Sequence, residues 1–384
     1  MQPMRRAPWL DPCREERMSL WIAGLGTAVP PRTIAQEDAA ELAQTISGGA
    51  AGAQTAATTL LTRLYRRSGV ATRHSVVLEA SSNGVPTRPS FFSPAAHELD
   101  RGPSTRERMQ IYEQQAGPLA CEAAAAALDD ARIAARQITH VVTVSCTGFY
   151  APGYDLGLIR ELRLPPRVAR THLGFMGCHG ALNALRVAKA FTDTDSRAGV
   201  LVCALELCSL HYDYRAAADK LLANALFSDG AAALVARGGT VPDSAWSLAG
   251  CGAAVVAESE DLMRWSIGDH GFEMSLSPRL PEAIDQHLRP WLDEWLAEHG
   301  LSPAAVGSWA IHPGGPKILA ACAEAANLAP SHLAMSQEVL RDFGNMSSAT
   351  VLFVLDRLRR QGAARPCVAL GFGPGLAMEA ALFR

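Results

Sequence analysis

Apolar and polar positions along this chain follow two periods, and the switches between them mark out its elements. "SLWIAGLG" (19–26) predicts a strand, and "QEDAAELAQTI" (36–46) predicts a helix. "HVVTVSCTG" (140–148) is a near-continuous apolar run ending in small polar residues, the pattern of a buried strand feeding a loop. "AGVLVCALEL" (198–207) and "AALVARGG" (232–239) predict further buried strands, as do "SWAIHPGG", "CVALGFGPG" and "AMEAALFR" near the end. In "PEAIDQHLRPWLDEWLAEHG", Ile284, Leu288, Leu292 and Trp295 recur at helical spacing. Strand and helix patterns alternate, which makes the fold class α/β.

Punctuation refines this outline. Ser104 and Glu107 form a capping-box pattern, so a helix should start there. Gly117-Pro118 predicts a break before a second, alanine-rich helix, "LACEAAAAALDDARI". Between Ser75 and Pro103 the composition shifts to Ser, Pro, Asn and Gly, which predicts a long surface excursion. Residues 1–17 carry charges without an apolar signal core and read as a loose tail, with Met18 an alternative start. A soft boundary at 238–246 separates an N-terminal half, 18–240, from a C-terminal half, 247–384.

Composition narrows the function classes. The 384 residues are 48% hydrophobic with a formal net charge of −3, and the basic residues are dispersed. That argues against nucleic acid or an anionic membrane as partner. No apolar run reaches membrane-span length. The nine cysteines (13, 121, 146, 178, 203, 208, 251, 322 and 367) show neither a CxxC pair nor zinc spacing. Reduced thiols in a cytoplasmic protein are expected, with no metal.

One cysteine stands apart. "GFMGCHGALNALRVAKAF" sets Cys178 among glycines that allow a sharp turn, just ahead of a helix whose Leu182, Leu185, Val187 and Phe191 give a buried face. A helix N-terminus lowers a thiol pKa. A nucleophile and an inert buried cysteine both fit that context. "WAIHPGGPKIL" places His312 at a strand end before a glycine turn. "DFGNMSSATVLFVL" places Asn345 in a polar turn before an apolar helix, where its amide can serve a developing oxyanion or simply cap the helix.

These segments, with "LFSDGAAALV" and the terminal "GFGPGLAMEAALF", occur in one order and closely resemble the chalcone synthase-like enzymes, the type III polyketide synthases, over roughly residues 19–384. The resemblance implies a thiolase-like five-layer αβαβα fold of two similar halves, and a homodimer. It implies that Cys178 is the acyl-carrying nucleophile and that His312 and Asn345 are its partners. Phe227 then gates the passage from a CoA tunnel to a reaction cavity, with Phe272 as a second gate. Cys146, Thr147, Glu206, His211 and Ser347 fall at cavity positions; core filling for Cys146, and buried hydrogen bonding for Glu206 and His211, are the alternatives. His179 reads as structural. Arg63 and Arg67 in "TRLYRRSG", with Gly314 and Gly315, are the CoA-binding candidates. Ala151 falls where plant enzymes place a bulky residue across the dimer interface.

The implied activity loads an acyl-CoA starter, condenses it repeatedly with malonyl-CoA and closes the chain to a pyrone or resorcinol-type aromatic, without cofactor. A ketoacyl-ACP synthase III-like single condensation, a malonyl-only aromatic synthase and a catalytically silent thiolase-fold scaffold are the other readings.

Overall fold

A strand that is apolar on both faces must be covered twice, and that demand organises the molecule. A computed structural model describes residues 20–47, 56–79 and 91–384. The expected tail at 1–17, with Cys13, lies outside the described residues. In chain order the strands are β1 Leu20–Ala28, β2 Thr33–Ala35, β3 Thr72–His74, β4 His140–Ser145, β5 Ala169–Gly174, β6 Gly199–Leu207, β7 Asp229–Arg237, β8 Ser247–Val255, β9 Met263–Gly268, β10 Gly271–Leu276, β11 Ser308–Ile311, β12 Cys367–Gly373 and β13 Ala377–Phe383. The helices are α1 Gln36–Ile46, α2 Ala56–Arg66, α3 Thr105–Ala131, α4 Tyr154–Glu161, α5 Gly180–Thr194, α6 Ala218–Leu226, α7 Leu280–Glu298, α8 Pro316–Ala326, α9 Ala334–Phe343 and α10 Thr350–Arg360.

Nine strands form one sheet in the order β11-β12-β13-β8-β1-β7-β6-β4-β5. Its two parts meet where β1 and β8 pair only at Leu20–Leu248 and Trp21–Ser247. Alternation along β6 shows how the layers stack. Val200, Val202 and Ala204 enter a central core with α5 and α10, whereas Leu201, Cys203 and Leu205 enter a second core under α3. Alternation along β12 does the same on the other side: Cys367 and Ala369 face the central core, while Val368 and Leu370 face α7 and α8. The result is five layers, helix–sheet–helix–sheet–helix, the thiolase-like arrangement. α5 and α10, which lead away from the Cys178 and Asn345 turns, form the middle layer.

Two expectations fail. No break occurs at Pro118, because α3 runs through it. Pro118 and Gln114, whose carbonyl loses its partner, are on the exposed side. Tyr112, Ala116, Ala120, Ala123 and Ala127 continue one buried face, and that packing outweighs the ~3 kcal/mol cost of an interior proline. Nor is the 75–103 segment wholly superficial: Ser75, Val77, Leu78 and Phe92 are all buried, and residues 80–90 lie outside the described residues. The capping box is present, with Ser104 and Glu107 bonded reciprocally.

α3 lies so close on β1 that a Cβ at Gly26 would sit 2.3 Å from the Ala127 nitrogen and 2.5 Å from the Ala123 oxygen. Gly26→Ala should therefore lift α3 off the sheet and cost ~3 kcal/mol, read as a lowered thermal midpoint.

Candidate active site

The chain leaves β5 at Gly174 and turns sharply before α5. Phe175 and Gly177 adopt φ of 61° and 90°, and a Cβ at Gly177 would lie 2.4 Å from the Pro374 ring. The terminal "GFGPG" thus packs directly on the turn that carries Cys178. Cys178 follows, buried, ahead of the His179 N-cap. Cys146 Sγ accepts from the Gly177 N–H at 2.9 Å, and Ser347 Oγ donates to Cys178 Sγ at 3.6 Å. Ser347 itself sits at φ 47°, a conformation that costs a non-glycine residue energy and holds its hydroxyl on the sulfur.

His312 follows β11, its N–H donating to Leu370 O at 2.8 Å. It is 2% exposed, and neither ring nitrogen has a hydrogen-bond partner. Buried polar atoms are normally paired, and this imidazole is left unpaired where it lines a cavity. Asn345 is fixed more firmly. Its Oδ1 accepts from the Ser347 N–H at 2.8 Å and from Thr350 Oγ1 at 3.5 Å. That sets the orientation of the amide and leaves the Nδ2 hydrogens as donors toward the cavity.

Cys178, His312 and Asn345 line one cavity together with Arg63, Arg67, Gly314, Gly315 and Lys317. A second, inner chamber begins at Cys178 with Cys146, Thr147, His211, Phe272 and Ser347 in its wall. Among the described residues, only Cys178, Phe227, Met263 and Met274 belong to both. Phe227 therefore stands at the junction between them. Phe272 does not: it lines the inner chamber alone, stacked on His211 at 4.3 Å and edge-on to Trp265 at 5.9 Å. The second position at the junction belongs to Met263 and Met274, which no sequence motif marks.

Glu206 is likewise one step removed from its expected place. It is wholly buried and lies behind the wall, bonded to Ser348 Oγ at 2.5 Å, Thr147 Oγ1 at 2.7 Å and the Cys146 N–H at 2.9 Å. His211 is a wall residue held at both nitrogens: Nε2–H donates to Thr147 O at 2.7 Å, and Nδ1 accepts from the Phe272 N–H at 2.9 Å. Ala151 is exposed and lines neither cavity.

Comparison with known proteins agrees with this geometry. The family model for the N-terminal domain of chalcone and stilbene synthases matches residues 14–240, and that for the C-terminal domain matches 248–384. The chain belongs to the chalcone and stilbene synthase family. It is 31% identical over 378 residues to an alpha-pyrone synthesis polyketide synthase-like protein, Pks18, of Mycobacterium tuberculosis, covering 94% of this chain and 90% of that one. It is 34% identical over 369 residues to the 1,3,6,8-tetrahydroxynaphthalene synthase of Streptomyces peucetius subsp. caesius, covering 94% and 92%. The crystal structure of PKS-I from the brown alga Ectocarpus siliculosus superimposes with a TM-score of 0.87 at 28% identity, covering 96% of this chain and 98% of that one. The protein is a type III polyketide synthase of bacterial type.

In this synthase burial dominates the titration of Cys178 and His312. The helix N-terminus was expected to lower the Cys178 pKa. Burial instead pushes the thiol up to about 12, against the opposing pull of the Ser347 hydroxyl, and holds the His312 imidazole down to about 3. Neither group is stably charged alone in so dry a site. His312 lines the same cavity as Cys178 without a hydrogen bond to it; transfer of the thiol proton to the imidazole would let the two charges offset each other's desolvation.

That coupling has a direct readout. In His312→Gln the thiol loses its proton acceptor while its burial remains. Inactivation by iodoacetamide should then move to higher pH than in wild type, by a unit or more on the scale of buried-group shifts. An unchanged pH profile would remove His312 from the activation of Cys178.

Proposed function

We propose that this synthase loads an acyl-CoA starter on Cys178, extends it by repeated decarboxylative condensation with malonyl-CoA and closes the chain to a pyrone or resorcinol-type aromatic. The observation that carries this reading is the position of Cys178 and Phe227 between an outer cavity bearing cations and an inner chamber. Arg63 and Arg67 take the phosphates of CoA, and the backbone at Gly314 and Gly315 lies against the pantetheine arm.

The steps follow from the groups present. The Cys178 proton moves to His312, and the sulfur attacks the thioester carbonyl. The bond to CoA sulfur breaks, and the proton leaves with CoA. Malonyl-CoA then occupies the outer cavity and loses CO2, which leaves an enolate on its thioester. His312 and the Asn345 amide donate to that oxygen, a role equivalent to an oxyanion hole. The enolate carbon attacks the acyl–Cys178 carbonyl, and the sulfur departs as the leaving group. The lengthened chain, now on CoA, returns to Cys178 for the next round. Phe227, with Met263 and Met274, separates the CoA arm from the chamber and keeps water from the acyl-enzyme.

No metal or cofactor takes part in these steps, in which the CoA thioesters are substrates. We also propose a cytoplasmic homodimer. The eight described cysteines are all free, which suits a reducing compartment. Phe149, Leu156 and Met176 are each about 40% exposed, apolar surface that a second copy would cover. A carrier-protein-dependent single condensation is the less favoured reading, since both halves match the chalcone and stilbene synthase models. A malonyl-only aromatic synthase remains the alternative within the family.

The decisive experiment separates decarboxylation from condensation. Cys178→Ala should abolish all polyketide products by mass spectrometry yet still release CO2 from malonyl-CoA. Asn345→Ala should lower that release by roughly a hundredfold, the usual effect of losing one oxyanion donor. Product formation that survives Cys178→Ala would overturn the assignment.

A further inference from the structure

The inner chamber does not stop at the usual catalytic wall. It extends beneath α1, where Ala39, Leu42, Ala43 and Ile46 all line it. These residues are i, i+3, i+4 and i+7, so one face of the helix forms a stripe about 10 Å long. Leu78 and Phe92 line the same chamber. Ala39, Ala43, Ile46, Leu78 and Phe92 are each 5% exposed or less. α1 packs on α2 and α6, and Ala39, Ala43 and Leu78 share their apolar cluster. Nothing in the sequence motifs pointed to this helix.

Polar residues also line this chamber, but their polar ends are turned to the protein. Tyr212 OH donates to Ala43 O at 3.4 Å, and Tyr65 OH to Asn224 O at 3.4 Å. His74 Nδ1 is held by Pro30 O at 2.8 Å. Asp213 is paired with Arg215 and accepts from it. Lys220 Nζ donates to the Met274 carbonyl, and Arg73 Nη1 to the Asn224 carbonyl. Among the buried atoms of these groups, Arg73 Nε alone lacks a partner. A ligand in this part of the chamber therefore meets mostly aliphatic and aromatic surface.

The direction of chain growth tells which end of the ligand lies there. Every new unit is inserted next to the Cys178 thioester. The starter's own tail is thus the part pushed farthest from the sulfur, at every stage of extension. The keto oxygens stay near Thr147, His211 and Ser347, whereas the tail lies under α1. From this juxtaposition, and resting on the polyketide reading above, we infer that the starter is a long-chain aliphatic acyl-CoA, and that Ala43 and Ile46 set its length. A malonyl-only chain would bring keto oxygens against the α1 stripe, whose own side chains offer them no donors, and a short or compact aromatic starter would leave that stripe uncovered.

The test compares kcat/KM for butanoyl-, dodecanoyl- and benzoyl-CoA, each with malonyl-CoA, in the full-length enzyme. Dodecanoyl-CoA should exceed butanoyl-CoA by at least ~tenfold, since each methylene gaining apolar cover is worth about fourfold. Ala43→Leu should lower dodecanoyl use by ~tenfold while leaving butanoyl use within about twofold, because bulk is added only where the longer tail reaches. Ile46→Ala should shift the preferred chain to greater length. Thermal melting together with butanoyl turnover certifies that each variant is folded. A wild-type preference for butanoyl- or benzoyl-CoA, equal product from malonyl-CoA alone, or folded variants with an unmoved chain-length profile would overturn the inference while leaving Cys178-dependent condensation intact. No product from any CoA starter would instead overturn the polyketide reading, and this inference with it.

Discussion

The active site depends on a short piece of backbone pairing between the two halves of the chain. Phe227 and Asn345 form an isolated parallel bridge. The Asn345 N–H donates to Leu226 O, and the Ser228 N–H donates to Asn345 O, both at 2.9 Å. Phe227 and Asn345, the gate and the oxyanion donor of the proposed steps, are thereby fixed in one geometry, although more than a hundred residues separate them. Gly344 makes the approach possible. It sits at φ 73°, and a Cβ there would meet the Leu226 oxygen at 3.1 Å and Ser228 Cβ at 3.0 Å. Asn345 is then locked by its own next turn, since its Oδ1 is occupied by the Ser347 N–H. Such double restraint is what electrostatic preorganisation requires: the donors must be in place before charge develops.

Around that bridge the site is dry, and dryness decides its electrostatics. Besides Cys178 and His312, burial raises the Glu206 carboxyl to about 7 against four hydrogen bonds that favour its ionised form. It also lowers the His211 imidazole to about 3. His211 in the wall is thus held neutral and Glu206 behind it is drawn toward its neutral form, while the charges of Arg73, Asp213 and Lys220 in the same chamber are met by protein partners. In the proposed steps charge appears transiently, on the thiolate, the imidazolium and the enolate. In a medium of low effective dielectric those charges interact strongly with the few fixed donors near them. A wall of permanent charges would compete for the same donors and would bind water, which hydrolyses thioesters.

The two cavities divide the chemistry by polarity. The outer one carries Arg63, Arg67 and Lys317, suited to an anionic carrier that enters and leaves each cycle. The inner one pairs hydrogen-bonding groups close to Cys178 with an apolar stripe on α1. Because the chain lengthens at its thioester end, this polarity gradient follows the gradient along the growing product. Shape and polarity, rather than further catalytic residues, therefore distinguish one product from another in this architecture.

The sequence by itself determined the alternation of elements and the capping box at Ser104, and it singled out Cys178, His312 and Asn345, which the fold brings to one cavity, because each of these rests on local spacing or on a motif within about a dozen residues. It also located Phe227, through its neighbours in "LFSDG". Tertiary structure decided the rest. Pro118 stays inside α3 because a continuous buried face outweighs a local penalty, which no local rule can weigh. Glu206 lies behind the wall and Phe272 lies away from the junction, since the same motif residues can face either side of a layer. Met263 and Met274 reach the gate from a two-stranded ribbon with no signature. The α1 stripe looks in sequence like any helix that packs on a core. Only the fold shows that what it faces is an open chamber, because a cavity is a property of surfaces that meet from distant parts of the chain.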